Sequence, residues 1–161
     1  MLKITVNSAE ETQQIAQKLA LLLKPQDVIL LEGDLGAGKT TFTKGLALGL
    51  GIHHNIKSPT FTIICEYQQG RLPLYHMDVY RLEETGGEGL GLEEYFEGDG
   101  VSVVEWSNFI KDELPPDNLT IVFEKDDNND NNDNKRYLSF TAHGKRYQEL
   151  LQELKVKINN I

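Results

Sequence analysis

Val28-Ile29-Leu30-Leu31-Glu32-Gly33-Asp34-Leu35-Gly36-Ala37-Gly38-Lys39-Thr40-Thr41 decides the fold. The apolar run Val28–Leu31 has the length of a buried strand. The residues from Lys39 to about Leu50 read as a helix that ends at Gly51. Between them, Gly33-x-x-x-x-Gly38-Lys39-Thr40 fits the phosphate-loop pattern G-x-x-x-x-G-K-[ST]. Each residue type there has a physical task. Gly36 and Gly38 lack a Cβ, so the backbone can wrap closely and aim its amides at phosphate oxygens. The helix start near Lys39 adds the partial positive charge of its N-terminus. Lys39 is the mobile cation for the β and γ phosphates, and the Thr40 hydroxyl is a hard oxygen ligand suited to Mg²⁺. A chance glycine turn is the rival reading, and the strand before it and the helix after it speak against that.

Outward from this loop, 161 residues suit one domain over 1–161 that buries a sizeable core unaided. The formal charge of −9 argues against a protein whose main affinity is for nucleic-acid phosphates, which requires clustered cations. Cys65 is the only cysteine, which excludes an internal disulfide or a multi-cysteine zinc site. No apolar run reaches the roughly 18 residues needed to cross a bilayer. Met1–Val6 is too short and mixed for a signal peptide, so the expected location is cytoplasmic.

Residues 2–6 read as a strand. Ser8-Ala9-Glu10-Glu11 has the form of a capping box, and the helix after it carries Ile15, Leu19, Leu22 and Leu23 on one face until Pro25 stops it. Further strands are expected at Thr60–Tyr67, Leu72–Tyr80, Val101–Trp106, Leu119–Glu124 and Arg136–Thr141. A hairpin turn is expected at 68–71, a short helix at Leu92–Phe96, and a last helix carrying Tyr147, Leu150, Leu151, Leu154 and Ile158. The Asp/Asn stretch 126–134 cannot bury apolar surface and reads as a mobile hairpin insertion. It lacks the glycine and closing glutamate of a calcium-binding EF-hand loop.

A phosphate loop needs an acidic partner for the metal, normally at the C-terminal end of a neighbouring strand. Glu105 and Asp78 both stand in such a place, and the residues alone do not divide the roles between them. His76 shares the Asp78 face by strand periodicity, so it is expected to supply either a supporting hydrogen bond or structure. Cys65 is expected in the core, and His53 and His54 are expected to face solvent. Tyr80 and Arg81 are expected to support Asp78.

Four ordered blocks carry a family resemblance: Gly33–Phe42, Lys57-Ser58-Pro59-Thr60-Phe61-Thr62, His76-Met77-Asp78-Val79-Tyr80-Arg81-Leu82 and Val104-Glu105-Trp106. From about residue 8 to residue 141 the chain resembles the TsaE (YjeE) family, ATPases of bacterial threonylcarbamoyladenosine tRNA modification. The resemblance implies an α/β, phosphate-loop NTPase-like, three-layer fold whose central sheet mixes parallel and antiparallel strands. It implies ATP and Mg²⁺ as cofactors, with the nucleotide on Leu35, Gly36, Ala37, Gly38, Lys39, Thr40 and Thr41. Thr40 and Glu105 are then on the metal, Asp78 orients or deprotonates the attacking water, and Thr60 senses the γ-phosphate. Trp106 and Asn108 neighbour the nucleotide, Ser8, Ala9 and Thr12 lie near the adenine, and Arg136 reaches the nucleotide. The long Asp/Asn loop before Arg136 departs from the family pattern.

The family's role implies TsaD and TsaB as partners, which transfer a threonylcarbamoyl group to adenosine 37 of tRNAs reading codons that begin with A. With Arg71, Arg81, Arg136 and Arg146 as its arginines, an acidic chain is poorly equipped to grip tRNA itself. It would meet tRNA only through those partners and bind neither membrane nor DNA. A small-molecule kinase is a rival, weakened by the lack of a lid-like arginine cluster. A GTPase is disfavoured because no Asn-Lys-x-Asp is present. A non-catalytic, nucleotide-gated binding module is the third reading, separable by measured ATP turnover.

Overall fold

Local chemistry sets the first elements of the computed structural model, which describes residues 1–33, 37–53, 56, 64–79, 91–126 and 134–159. Strand β1 (Leu2–Val6) leads to Ser8, whose Oγ accepts from the Glu11 amide at 3.1 Å and caps helix α1 (Ala9–Ala20). The Glu11 carboxylate reaches back one residue beyond the cap and accepts from the Asn7 amide, a variant of the capping box. The helix stops before Pro25. Leu22 and Leu23 lie in the turns that follow it, and a tight turn closes by Asp27 N–H donating to Lys24 O with Gln26 at φ 74°.

The chain then enters β2 (Val28–Gly33) and, after the loop, α2 (Lys39–Gly49). A hairpin of β3 (Ile64–Tyr67) and β4 (Leu74–Asp78) follows. β4 starts two residues later than the pattern suggests, since Pro73 has no N–H for the ladder and its carbonyl instead accepts from Val101. Next come α3 (Leu92–Phe96), β5 (Val101–Glu105), a 3₁₀ turn over Ser107–Ile110, β6 (Asn118–Lys125), β7 (Arg136–His143) and α4 (Lys145–Asn159). The 3₁₀ turn has no counterpart in the sequence reading. Cys65, expected in the core, is only half-buried on β3 at the sheet edge.

All seven strands form one sheet in the order β1-β7-β6-β2-β5-β4-β3. β2 pairs in parallel with both β5 and β6, and β4 in parallel with β5. The β3–β4, β6–β7 and β1–β7 pairs are antiparallel. This is the expected mixed sheet. Alternation along the strands splits the core in two. Ile29, Leu31, Val103 and Ile121 face the layer that includes Leu19, Phe42, Leu46 and Leu150, while Val28, Leu30, Met77 and Val104 face Leu92, Phe96 and Ile110. Three layers result.

α1 and α2 touch at backbone distance. A Cβ at Gly45 would lie 2.7 Å from Gln13 O, and one at Gly49 2.5 Å from the Ala20 Cβ. Four residues along α2 match four along α1, so the helices run in parallel. The sheet therefore gathers the ends of β2, β4 and β5 and the starts of α1 and α2 on one side.

Candidate nucleotide site

Gly38 enters α2 at φ 111°, a backbone conformation that costs little only without a side chain. Its carbonyl accepts from the Phe42 amide at 2.9 Å, and the Lys39 carbonyl accepts from the Thr43 hydroxyl at 3.0 Å. Lys39 is 6 % exposed, an unusual burial for a lysine. Its Nζ lies 3.9 Å from Glu105 Oε1 and 4.4 Å from the centroid of the Trp106 ring. Thr40 and Thr41 are half-buried on the same first turn.

Glu105 reaches this lysine because Leu31 pairs with Glu105, at the end of β5 beside β2. Its other oxygen, Oε2, is 2.6 Å from His76 Nε2. A carboxylate accepts, so Nε2 is the donor. Asp78 pairs with Glu105 across β4 and β5, which puts the two carboxylates on neighbouring strands at one end of the sheet. The pairing of these strands explains why both acids resemble strand-end metal ligands in sequence. They occupy the same row of the sheet.

Directly after Glu105 the backbone turns sharply. Trp106 takes φ 62° and ψ 38°, a left-handed conformation that is uncommon for a bulky residue and collects at functional sites. The turn aims the indole at Lys39 and starts the 3₁₀ segment. Asn108 and Lys111, one 3₁₀ turn apart, join Leu31, Glu32, Gly33, Lys39 and Trp106 around a cavity of about 390 Å³. Glu32 and Lys111 were not anticipated. The three-residue spacing of Asn108 and Lys111 is a signal only once Ser107–Ile110 is known to coil.

The residues expected near the nucleotide from α1 and β7 lie at the same end of the sheet. Ser8 and Thr12 begin α1, with the Thr12 hydroxyl donating to Ser8 O at 3.3 Å, and Ala9 is exposed. Arg136 opens β7 opposite Val6 and Lys125, and its guanidinium donates to Lys135 O at 2.9 Å. Ala37 is buried. Leu35, Gly36, Thr60, His54, Tyr80, Arg81 and positions 127–133 lie outside the described residues. A larger recess of about 610 Å³ opens at the opposite end of the sheet beside Asp27 and Arg146 and holds none of the predicted site residues.

A parallel strand that runs through a glycine-bearing turn into a helix, with a buried lysine in the first turn, defines an α/β fold of the phosphate-loop type. The family model described as "Threonylcarbamoyl adenosine biosynthesis protein TsaE" matches residues 6–136, and the chain belongs to the TsaE family. It is 56% identical over 150 residues to the tRNA threonylcarbamoyladenosine biosynthesis protein TsaE of Bacillus subtilis (strain 168), covering 93% of this chain and 90% of that one. The protein of that name from Rickettsia conorii is 40% identical over 148 residues, covering 90% and 81% of the two chains. The crystal structure of Bacillus subtilis YdiB superposes with a TM-score of 0.84 at 49% identity, covering 98% of this chain and 96% of that one.

Proposed function

We propose that the protein is a Mg²⁺-dependent ATPase, weak alone, that serves threonylcarbamoyl modification of adenosine 37 in tRNAs reading codons that begin with A. It works in the cytoplasm on the TsaD–TsaB pair, meets tRNA only through them, and binds neither membrane nor DNA. One observation carries the ATP reading above all: a buried lysine at a helix N-terminus whose carboxylate neighbour stands 3.9 Å away, at the limit of an ion pair. A buried ammonium so loosely matched has much to gain from a phosphate oxygen at the same helix start.

The donor set fits Mg²⁺. The Thr40 hydroxyl and the Glu105 carboxylate are hard oxygen donors, and Mg²⁺ binds through one or two protein oxygens with phosphates and water completing the shell. No cluster of three His, Cys, Asp or Glu side chains able to hold a metal occurs among the described residues, so a cage of the zinc type has no donors there. When bound, Mg²⁺ neutralises charge on the phosphate oxygens. Lys39 turns from Glu105 and Trp106 to the β and γ phosphates. Thr40 and Glu105 hold the metal, and Asp78, in the same row as Glu105, orients or deprotonates the attacking water. Thr60 senses the γ-phosphate. Leu35, Gly36, Ala37, Gly38 and Thr41 cradle the phosphate chain, Ser8, Ala9 and Thr12 take the adenine side, Arg136 reaches the nucleotide, and Trp106 and Asn108 wall the site.

The test is phosphate release from ATP with and without the purified TsaB–TsaD pair. Stimulation by the pair is the expected result. Transfer of phosphate to a metabolite instead of water would favour a kinase, and ATP binding without turnover in either condition would favour a gated binding module.

A further inference from the structure

We infer that His76 is a positioning residue for Glu105, holding one carboxylate oxygen so that the other stays aimed at the phosphate-loop lysine and the metal. The inference rests on the ATPase reading above. His76 is 0 % exposed in the middle of β4, where its neighbours Leu74 and Met77 are apolar and equally buried. An apolar side chain would fill that position without desolvating an imidazole. The histidine is also incompletely matched: among the described residues Nδ1 has no hydrogen-bond partner. Among the described residues the ring's polar contact is the one from Nε2 to Glu105 Oε2, at 2.6 Å.

The register explains the reach. His76 pairs with Val103, two residues before Glu105 on the same face of β5, so the ring lies one pleat behind the carboxylate and meets it from the core side. Asp78 extends from the same strand face two residues further on. The Glu105 carboxylate is thereby fixed from behind by Nε2 while Oε1 points forward to Lys39 at 3.9 Å. Partners of this kind, which orient a metal-binding side chain, set its affinity and geometry without touching the reacting atoms.

Three variants separate positioning from simple filling of the core. Gln at position 76 carries its amide nitrogen about as far out as Nε2, Asn stops near Nδ1, and Leu fills the volume without a donor. Trp106 is the only tryptophan, and Lys39 lies against it, so its fluorescence reports ATP binding independently of turnover. Thermal melts establish that each variant is folded. In H76N and H76L, ATP affinity without Mg²⁺ is expected to stay within about twofold of the parent, while the gain in affinity from Mg²⁺ and kcat both fall by about 10- to 100-fold. H76Q is expected to recover most of both.

Unchanged Mg²⁺ dependence and kcat in folded H76N or H76L would overturn the inference, as would H76Q failing as badly as H76N. Loss of the fold in all three variants would also overturn it, assigning His76 to the core alone. A parent protein that binds no ATP at all would instead bring down the ATPase reading.

Discussion

The two ends of β2 each set a cation beside a buried carboxylate, and they differ in how completely the charges are matched. Before β2, Arg146 grips Asp27 with two nitrogens, Nε to Oδ1 at 3.0 Å and Nη2 to Oδ2 at 2.6 Å. The Lys24 amide donates to the same carboxylate at 2.8 Å, and Nη2 also donates to Leu22 O. Asp27 holds the Arg146 pKa above its ordinary value, mainly through those hydrogen bonds. After β2, Lys39 and Glu105 stand 3.9 Å apart, with Glu105 drawn toward His76 and Lys39 toward an aromatic face. The first pair is a finished clamp that ties α4 to the turn before β2. The second leaves a buried ammonium loosely matched, as the proposed nucleotide site requires.

Substitutions at the two ends should therefore part company. The largest effect is expected from Lys39→Ala, which removes the phosphate cation: calorimetry should detect no ATP binding at millimolar nucleotide while the melting temperature stays close to that of the parent. Glu105→Gln should keep much of the nucleotide affinity and abolish phosphate release; hydrolysis at the parental rate would remove Glu105 from the metal. Asp78→Ala should retain Mg·ATP binding and slow hydrolysis, which single-turnover measurements would detect.

At the other end the same kind of change should act on stability alone. Asp27→Ala leaves Arg146 without its carboxylate; because that side chain is 25% exposed, the low end of the usual range applies, a loss of about 3 kcal/mol in urea unfolding. ATP affinity should not move. The smallest effect belongs to Tyr147→Phe. The Tyr147 hydroxyl accepts the Val28 amide at 2.9 Å, and leaving that donor unpaired costs about 1–2 kcal/mol. Burial raises the Tyr147 pKa above that of an unfolded tyrosine. Its contribution is thus full below about pH 10 and is lost as pH rises through the folded value, a limb of the stability curve that Tyr147→Phe should erase.

The same contrast explains what could be read from the chain alone. Short-range signals were clear: the Ser8–Glu11 cap, the strand, glycine turn and helix around Gly38, the hairpin at 68–71 and the apolar stripe of α4 each lie within a few residues. Glu105 and Asp78 were recognisable as strand-end acids, yet their side-by-side placement depends on the β4–β5 register. The His76–Glu105 contact spans 29 residues and the Asp27–Arg146 clamp 119, and no local pattern encodes either. Trp106 could be singled out by resemblance, but its left-handed backbone could not, because nothing in Glu105-Trp106-Ser107 requires it. Cys65 was misplaced for a related reason: an apolar strand reads as core until the sheet order puts it at an edge.

Calorimetric titration of the unmodified protein with ATP in millimolar Mg²⁺ tests the central claim most directly. The account predicts saturable binding at one site, lost in Lys39→Ala and retained in Asp27→Ala. Absence of binding by the parent, or undiminished binding by Lys39→Ala, would contradict it.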